Sequence, residues 1–139
     1  MLQMQTQSYT VLINQYLERL LVFETVFSEY NQTTRNIVKG NCYASESLER
    51  IKDYFAKNAI RFDRFVSQIN QVQAPDGYLT FNQRLLAALE QFNTGVLTTF
   101  NAISCDKIDQ EQFETGISYQ ESAKAEISAA FDYIGQPII

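Results

Sequence analysis

The sequence contains no histidine and only two cysteines, Cys42 and Cys105, which lie far apart in the chain. Without histidine there is no Ser-His-Asp triad, no Cys-His pair and no Glu-x-x-His motif of the ferritin-like di-iron bundles. Two distant cysteines form no CxxC pair, which excludes the usual zinc sites. Neither a Walker loop nor a G-x-G-x-x-G motif is present. The sequence therefore predicts no catalytic residue, no metal and no cofactor.

Glycine, proline and long apolar runs are also scarce. Five glycines and two prolines are too few for a turn-rich β sandwich or barrel. The longest apolar runs, such as "LLVF" at 20–23, are far shorter than the roughly twenty residues of a membrane span, so no membrane insertion is expected. The opening "MLQMQTQSY" lacks the pattern of a secretory signal. We therefore expect a cytoplasmic protein, with export of a trimmed or mature form left open.

Acidic residues are concentrated at one end of the chain. The net charge is −5, which argues against nucleic acid and anionic membranes as main partners. From residue 106 onward, the sequence has seven acidic residues and only two lysines, whereas the acidic and basic residues of the rest of the chain are equal in number. Two interpretations follow: a solvated face of the last helix, or a docking surface for a basic partner. The candidate residues for such a surface are Asp109, Glu111, Glu114, Glu121 and Glu126.

The run "DKIDQEQFE" at 106–114 clusters four carboxylates. It lacks the glycine and the D-x-D-x-D spacing of an EF-hand calcium loop. Acidic residues also favour the first turn of a helix, because they cap its free N–H groups and complement its dipole. The run is therefore predicted to be the start of a helix.

The strongest signal is the spacing of apolar residues. In the first segment, a series that is apolar or aromatic at every position except Thr34 follows steps of four and three: Tyr9, Ile13, Tyr16, Leu20, Phe23, Phe27, Tyr30, Thr34 and Ile37. This period predicts a helix with one face turned towards its neighbours. The same pattern recurs three times, so we expect helices at about 8–39, 45–72, 77–104 and 108–134.

Four helices of similar length joined by three short connections predict the architecture. Short connections force consecutive helices to lie antiparallel. The expected fold is all-α, an antiparallel up-down-up-down four-helix bundle that forms a single domain over residues 1–139. The alternative is a long helical hairpin that completes its core by dimerising.

Several residues are expected to end or interrupt these helices. The candidate N-caps are Ser8, Ser45 or Ser47, Asp76, and Asp106 or Asp109. Gly40 is expected to end the first helix in a left-handed conformation, and the Asp76-Gly77 pair to form a turn. Gly95 costs the third helix about 1 kcal/mol relative to alanine, unless close packing against a neighbour offsets it.

Two polar residues interrupt the apolar faces, Asn58 in the second segment and Gln120 in the fourth. The second and fourth helices of such a bundle run parallel, which brings both amides to a similar height. A central polar layer is predicted. One interpretation is a buried amide pair that fixes the register of packing; the other is a contact for a small ligand in an aromatic-lined cavity.

The aromatic residues are expected to fill the core. Phe23, Phe62, Phe92 and Phe131 are predicted core residues whose truncation is costly. A buried tyrosine hydroxyl needs a partner, so the tyrosines of the first helix, Tyr9, Tyr16 and Tyr30, suit either the core margin or a partner surface.

The two cysteines fall in the first and third connections, which lie at the same end of an up-down-up-down bundle. Cys42 and Cys105 are therefore expected to be neighbours. A disulfide between them needs an oxidising compartment, so two reduced thiols are expected in the cell. The alternative is that each is a small apolar plug under its own loop.

These observations favour a non-enzymatic bundle that acts through protein–protein contacts, as an adaptor, a regulatory subunit or a self-associating domain. The alternative function is a carrier that holds a small apolar or mixed ligand between the helices. A cavity of several hundred cubic ångströms near Asn58 and Gln120 favours the carrier, and a filled core with an exposed apolar patch favours protein contacts.

Overall fold

The computed structural model describes residues 6–40, 48–104 and 107–135, and four α-helices make up most of this part of the chain. They are α1 (Thr6–Val38), α2 (Leu48–Asn70), α3 (Leu79–Ala102) and α4 (Gln110–Gly135). These bounds lie within a few residues of the predicted ranges. The predicted start of the second helix, residue 45, falls outside the described residues.

Contacts near both ends of each interface show that consecutive helices run antiparallel. The pairs are Arg19–Gln68 and Tyr30–Asn58 between α1 and α2, Lys52–Ile103 and Asn70–Glu90 between α2 and α3, and Phe81–Phe131 and Thr98–Gln112 between α3 and α4. α4 also reaches α1, where Arg35 pairs with Glu114. The predicted up-down-up-down four-helix bundle is confirmed. One chain supplies all four helices, so no second copy is needed to enclose the core.

The apolar faces of the four helices lie where their spacing places them. Every residue of the α1 series from Tyr9 to Ile37 is buried or half-buried. In α2, α3 and α4, the residues that repeat the same steps of three and four are also buried or half-buried wherever their side chains are described. The period therefore identified the inward side of each helix correctly, because a side chain's direction around a helix depends only on its position in the chain.

Phenylalanine rings fill the centre of the bundle. Phe27, Phe62 and Phe92, from three different helices, are fully buried. Their ring centroids lie 5.2 to 6.1 Å apart, and the ring planes are inclined by 55° or more. Tilted and edge-to-face rings at this spacing interact favourably beyond the area that they bury. Two further rings, Phe23 and Phe55, contact the same group.

The outer parts of the core differ in burial. Of the predicted core residues, Phe62 and Phe92 are fully buried, whereas Phe23 and Phe131 are only partly buried. Truncating the latter two should therefore cost less. Among the tyrosines of α1, Tyr16 and Tyr30 lie at the core margin, while Tyr9 is fully buried. The Tyr9 hydroxyl donates a hydrogen bond to Asn82 Oδ1 at 2.6 Å, and burial raises the pKa of Tyr9 well above its ordinary value.

Local signals at the helix ends are partly confirmed. Gly40 has φ +78° two residues after Val38, the last residue of α1, and Gly77 has φ +94° in the turn before α3. Asp109 is the N-cap of α4, since its Oδ1 accepts a hydrogen bond from the Gln112 N–H at 3.0 Å.

Two predicted caps are wrong. α1 is already helical at Thr6, which places Ser8 inside its first turn. α3 begins at Leu79, so Tyr78 rather than Asp76 stands at the N-cap, and its side chain makes no capping hydrogen bond. The turn closed by the hydrogen bond from the Tyr78 N–H to the Pro75 carbonyl delays the start of the helix.

α3 and α4 approach each other backbone to backbone where Gly95 crosses Gly116. A Cβ atom built on Gly95 would lie 2.8 Å from the Gly116 carbonyl oxygen, and one built on Gly116 would lie 2.7 Å from the Thr99 nitrogen. Gly95 is therefore closely packed against a neighbouring helix, which is the condition under which its helix penalty is offset. This crossing sets the distance between the two helices.

Candidate functional site

A chain of hydrogen bonds runs through the core at the glycine crossing and joins three helices. Asn31 Nδ2 donates to Gln120 Oε1 at 2.9 Å, and Gln120 Nε2 donates to Thr99 Oγ1 at 3.1 Å. The Thr99 hydroxyl in turn donates to the Val96 carbonyl at 2.7 Å. Gln120 is only 1% exposed, so these bonds provide the partners that its buried amide requires.

The second predicted polar residue, Asn58, belongs to a different group of hydrogen bonds. It is half-buried, and its Nδ2 donates to the Tyr30 hydroxyl at 2.8 Å and to the Tyr54 carbonyl at 3.2 Å. Tyr30 and Asn31 are adjacent residues of α1, so α1 holds both amides at a similar height. Asn58 and Gln120 are thus each bonded to α1. A role for either one in ligand contact stays a prediction.

Three buried asparagines were missed by the sequence analysis: Asn31, Asn82 and Asn93. Each follows a residue of the inward-facing series by four positions and precedes another by three, and only Thr34, three positions after Asn31, is polar among these neighbours. This spacing places them at the edge of the inward face, and it is the signal that could have identified them. In the described part of the chain, Asn31 Oδ1 and Asn93 Oδ1 are buried without a hydrogen-bond partner.

The acidic residues proposed as a partner surface divide into two groups. Asp109 caps α4, Glu114 forms a two-pronged pair with Arg35 at 2.6 and 3.0 Å, and Glu121 lies 3.4 Å from Lys124. The hydrogen bond from Arg35 holds the pKa of Glu114 below its usual value. Glu111 and Glu126 are exposed on the outer side of α4. Within the described residues, neither of these last two carboxylates has a basic side chain within ion-pair distance. A basic partner at this surface stays a prediction.

One further carboxylate lies between α1 and α4. Partial burial raises the pKa of Glu24, the Lys124 ammonium opposes that shift, and the Glu121 carboxylate adds to it. Glu24 therefore carries a desolvation cost at neutral pH that nearby Lys124 offsets only in part. Among the described residues, no cluster of three or more cysteine, aspartate or glutamate side chains is arranged to hold a metal ion.

The helix ends that flank the first and third connections meet at one tip. Val38 and Lys39, at the end of α1, line the same cleft of about 320 Å³ as Ile108 and Gln110, at the start of α4. Cys42 and Cys105 themselves lie outside the described residues, so their proximity stays a prediction. Thiol titration of the purified protein with and without reductant distinguishes a disulfide from two free thiols.

A largely apolar groove lies between α2 and α3. It has a volume of about 450 Å³ and is lined by Ala56, Ala59, Ile60, Asp63, Arg64, Leu97 and Phe100. Ile60 is 55% exposed and Leu97 is 42% exposed, although both are large aliphatic side chains. The small side chains of the alanines leave the middle of the groove open, with the Ile60 and Leu97 side chains at its two sides. We call this feature the α2–α3 groove.

The position of this groove separates it from the core amides. Its lining includes neither Asn58 nor Gln120, and the phenylalanine cluster fills the space between the helices inside it. A side chain or helix from outside can therefore reach the groove without disturbing the core.

No helix among the described residues is long and apolar enough to cross a membrane. No protein-family model, no curated protein and no solved structure matches this chain.

Proposed function

We propose that this protein is a non-enzymatic helical bundle that acts through protein–protein contacts in the cytoplasm, and that the α2–α3 groove is its contact surface. The observation that carries the proposal is the pair of exposed aliphatic side chains, Ile60 and Leu97, on either side of one groove. Single exposed apolar residues are ordinary, but apolar residues grouped in a concave surface are typical of binding sites.

The filled core favours this function over a carrier between the helices. Phe27, Phe62 and Phe92 are fully buried and in mutual contact at the level where a ligand would lie. A carrier needs a cavity of about 300–1,000 Å³ lined by apolar groups. The α2–α3 groove has a comparable size but lies on the surface of the bundle. An occupant of this groove remains partly exposed to solvent, as a bound protein segment does.

Two substitutions in the groove test the proposal against a matched control. Ile60→Glu and Leu97→Glu place a carboxylate in the groove, and Val22→Glu makes the same change on α1 at a side chain that is 64% exposed. All three variants should keep their helical circular dichroism, because exposed positions tolerate charge.

The measurement is quantitative mass spectrometry of proteins cross-linked to each variant in the cells that produce it, together with sedimentation of the pure protein. Partners, or self-association, present with wild type and Val22→Glu should be lost with Ile60→Glu and Leu97→Glu. Equal recovery with all four proteins, or no partner and no self-association for wild type, contradicts the proposal.

A further inference from the structure

The hydrogen-bond chain that crosses the core has a fixed direction. It ends at the Val96 carbonyl, which can only accept, so the Thr99 hydroxyl must donate its one proton there. Thr99 Oγ1 therefore acts as an acceptor towards Gln120, whose Nε2 donates to it at 3.1 Å. This orients the Gln120 amide with Oε1 towards α1, where Asn31 Nδ2 donates to it at 2.9 Å. The orientation of both amides follows from the carbonyl at the far end.

The Asn31 side-chain oxygen lies at the open end of this chain. Its Nδ2 group donates to Gln120, so Oδ1 needs a donor of its own. Asn31 is only 6% exposed, and among the described residues no donor reaches Oδ1. Turning the amide over does not provide one, because Oδ1 would then face Gln120 Oε1, which is another acceptor. Since buried polar atoms are nearly always hydrogen-bonded, a donor is required at this position.

The buried polar group next to Asn31 on α1 is also an acceptor. Thr34 lies one turn further along the same inward face, is fully buried, and donates its hydroxyl proton to the Tyr30 carbonyl at 2.8 Å. Its proton is therefore in use, whereas its oxygen keeps lone pairs that can accept. A molecule that bridges Asn31 Oδ1 and Thr34 Oγ1 must donate two protons. Water does so, and buried waters commonly satisfy polar groups in this way.

The side chains around Asn31 are small enough to admit one water molecule and nothing larger. The α1 and α4 backbones stand further apart than those of α3 and α4, which meet at the glycine crossing. On α4, the inward residues one turn to either side of Gln120 are Gly116 and Ala123, both small and both buried. On α1, the fully buried ring of Phe27 lies one turn before Asn31 and limits the size of a ligand.

We propose that a buried water molecule is bound between α1 and α4, where it donates hydrogen bonds to Asn31 Oδ1 and Thr34 Oγ1. It extends the chain that ends at Val96 and supplies the donor that the Asn31 amide requires. The site is selective for a small hydrogen-bond donor, because both atoms that define it are acceptors. An anion is excluded for the same reason.

Oxygen-17 magnetic relaxation dispersion of water tests this proposal on the full chain. It detects water molecules held inside a protein, and it is insensitive to the exchange of hydroxyl protons. Asn31→Leu removes the amide oxygen, and Thr34→Val removes the second acceptor while keeping the shape of the side chain. Thr25→Val is the matched control, because the Thr25 hydroxyl also donates to a carbonyl four residues earlier on α1 but is exposed.

The dispersion amplitude, recorded over a range of temperatures, should fall by the contribution of one internal water in Asn31→Leu and in Thr34→Val. It should be unchanged in Thr25→Val, and the comparison between variants cancels any internal water elsewhere. Circular dichroism verifies folding, and Thr34→Val decides alone if Asn31→Leu does not fold.

A wild type without dispersion at any temperature would overturn the proposal. So would a wild-type amplitude in both variants, or an equal loss in Thr25→Val. A loss in Asn31→Leu together with a wild-type amplitude in Thr34→Val would support the water at Asn31 and overturn its bond to Thr34.

Discussion

Replacing Gly95 with alanine should reverse the usual effect of this substitution in a helix. In an exposed helix, alanine is about 1 kcal/mol more stable than glycine, because glycine loses more backbone entropy on folding. At position 95 the added Cβ would meet the Gly116 carbonyl oxygen at 2.8 Å and the Gln120 backbone nitrogen at 2.9 Å. Both are backbone atoms of the opposing helix α4 and cannot rotate away as a side chain can, so α3 and α4 must move apart.

Two costs then oppose the propensity gain. Forcing extra volume into a packed interface typically costs about 1–3 kcal/mol. The separation also lengthens the hydrogen bond between Gln120 Nε2 and Thr99 Oγ1, which is already 3.1 Å, and leaving a buried amide unpaired costs about 1–3 kcal/mol. After subtraction of the propensity gain, Gly95→Ala should lower the free energy of unfolding by about 1–5 kcal/mol, a large share of the roughly 5–15 kcal/mol typical of a domain.

The measurement is urea unfolding followed by helical circular dichroism. Ala125→Gly, at an exposed site on α4, is the control, and it should be destabilising by about 1 kcal/mol in the ordinary direction. Gly116→Ala should resemble Gly95→Ala, and the double variant should cost less than the sum, since both act on one crossing. A Gly95→Ala protein as stable as wild type, or more stable, would refute the close approach of α3 and α4.

Three further predictions follow from the core and the α1–α4 interface. Gln120→Leu should lower the free energy of unfolding by about 1–3 kcal/mol, because it removes the acceptor of the Asn31 amide. Combining it with Asn31→Leu should cost less than the sum of the two single variants, and strict additivity in urea unfolding would contradict their hydrogen bond. Phe62→Ala should cost about 3–5 kcal/mol and half-buried Phe131→Ala clearly less, and equal losses would contradict their difference in burial. Because the pKa of Glu24 is raised in the folded state, its ionised form opposes folding at neutral pH and its protonated form does not. Glu24→Gln should therefore raise the urea midpoint at pH 7, with the gain shrinking as the pH falls through the range in which Glu24 is protonated, and an unchanged or lower midpoint at pH 7 would contradict this reasoning.

The inward face of each helix and the helix ends marked by a strong local signal were predictable from the sequence. The steps of three and four that link Tyr9 to Ile37 depend only on the geometry of a single helix, and so do the cap at Asp109 and the left-handed glycine at position 40. The antiparallel order followed as well, since short connections leave consecutive helices little alternative.

The hydrogen-bond partners of the core amides were decided by the tertiary structure. The sequence placed Asn58 and Gln120 at a similar height, but it did not reveal that Gln120 would bond to Asn31 and Thr99. That choice depends on the rotation of each helix about its axis and on the distance between α3 and α4. The crossing of Gly95 and Gly116 sets that distance, and it joins residues from two separate helices.

The candidate contact surface was also beyond the reach of periodicity. Ile60 and Leu97 lie outside the inward faces of their helices. For an apolar residue at such a position, the sequence does not indicate which residues of another helix will be its neighbours. They form one groove only because α2 and α3 pack in a particular register, with small alanines between them. In the same way, the sequence shows Glu114 only as part of an acidic run, and the ion pair with Arg35 forms because α1 and α4 are neighbours in the folded protein. Local geometry determines which way a side chain points along its own helix, whereas its neighbours across the bundle depend on contacts between distant segments, which no local pattern encodes.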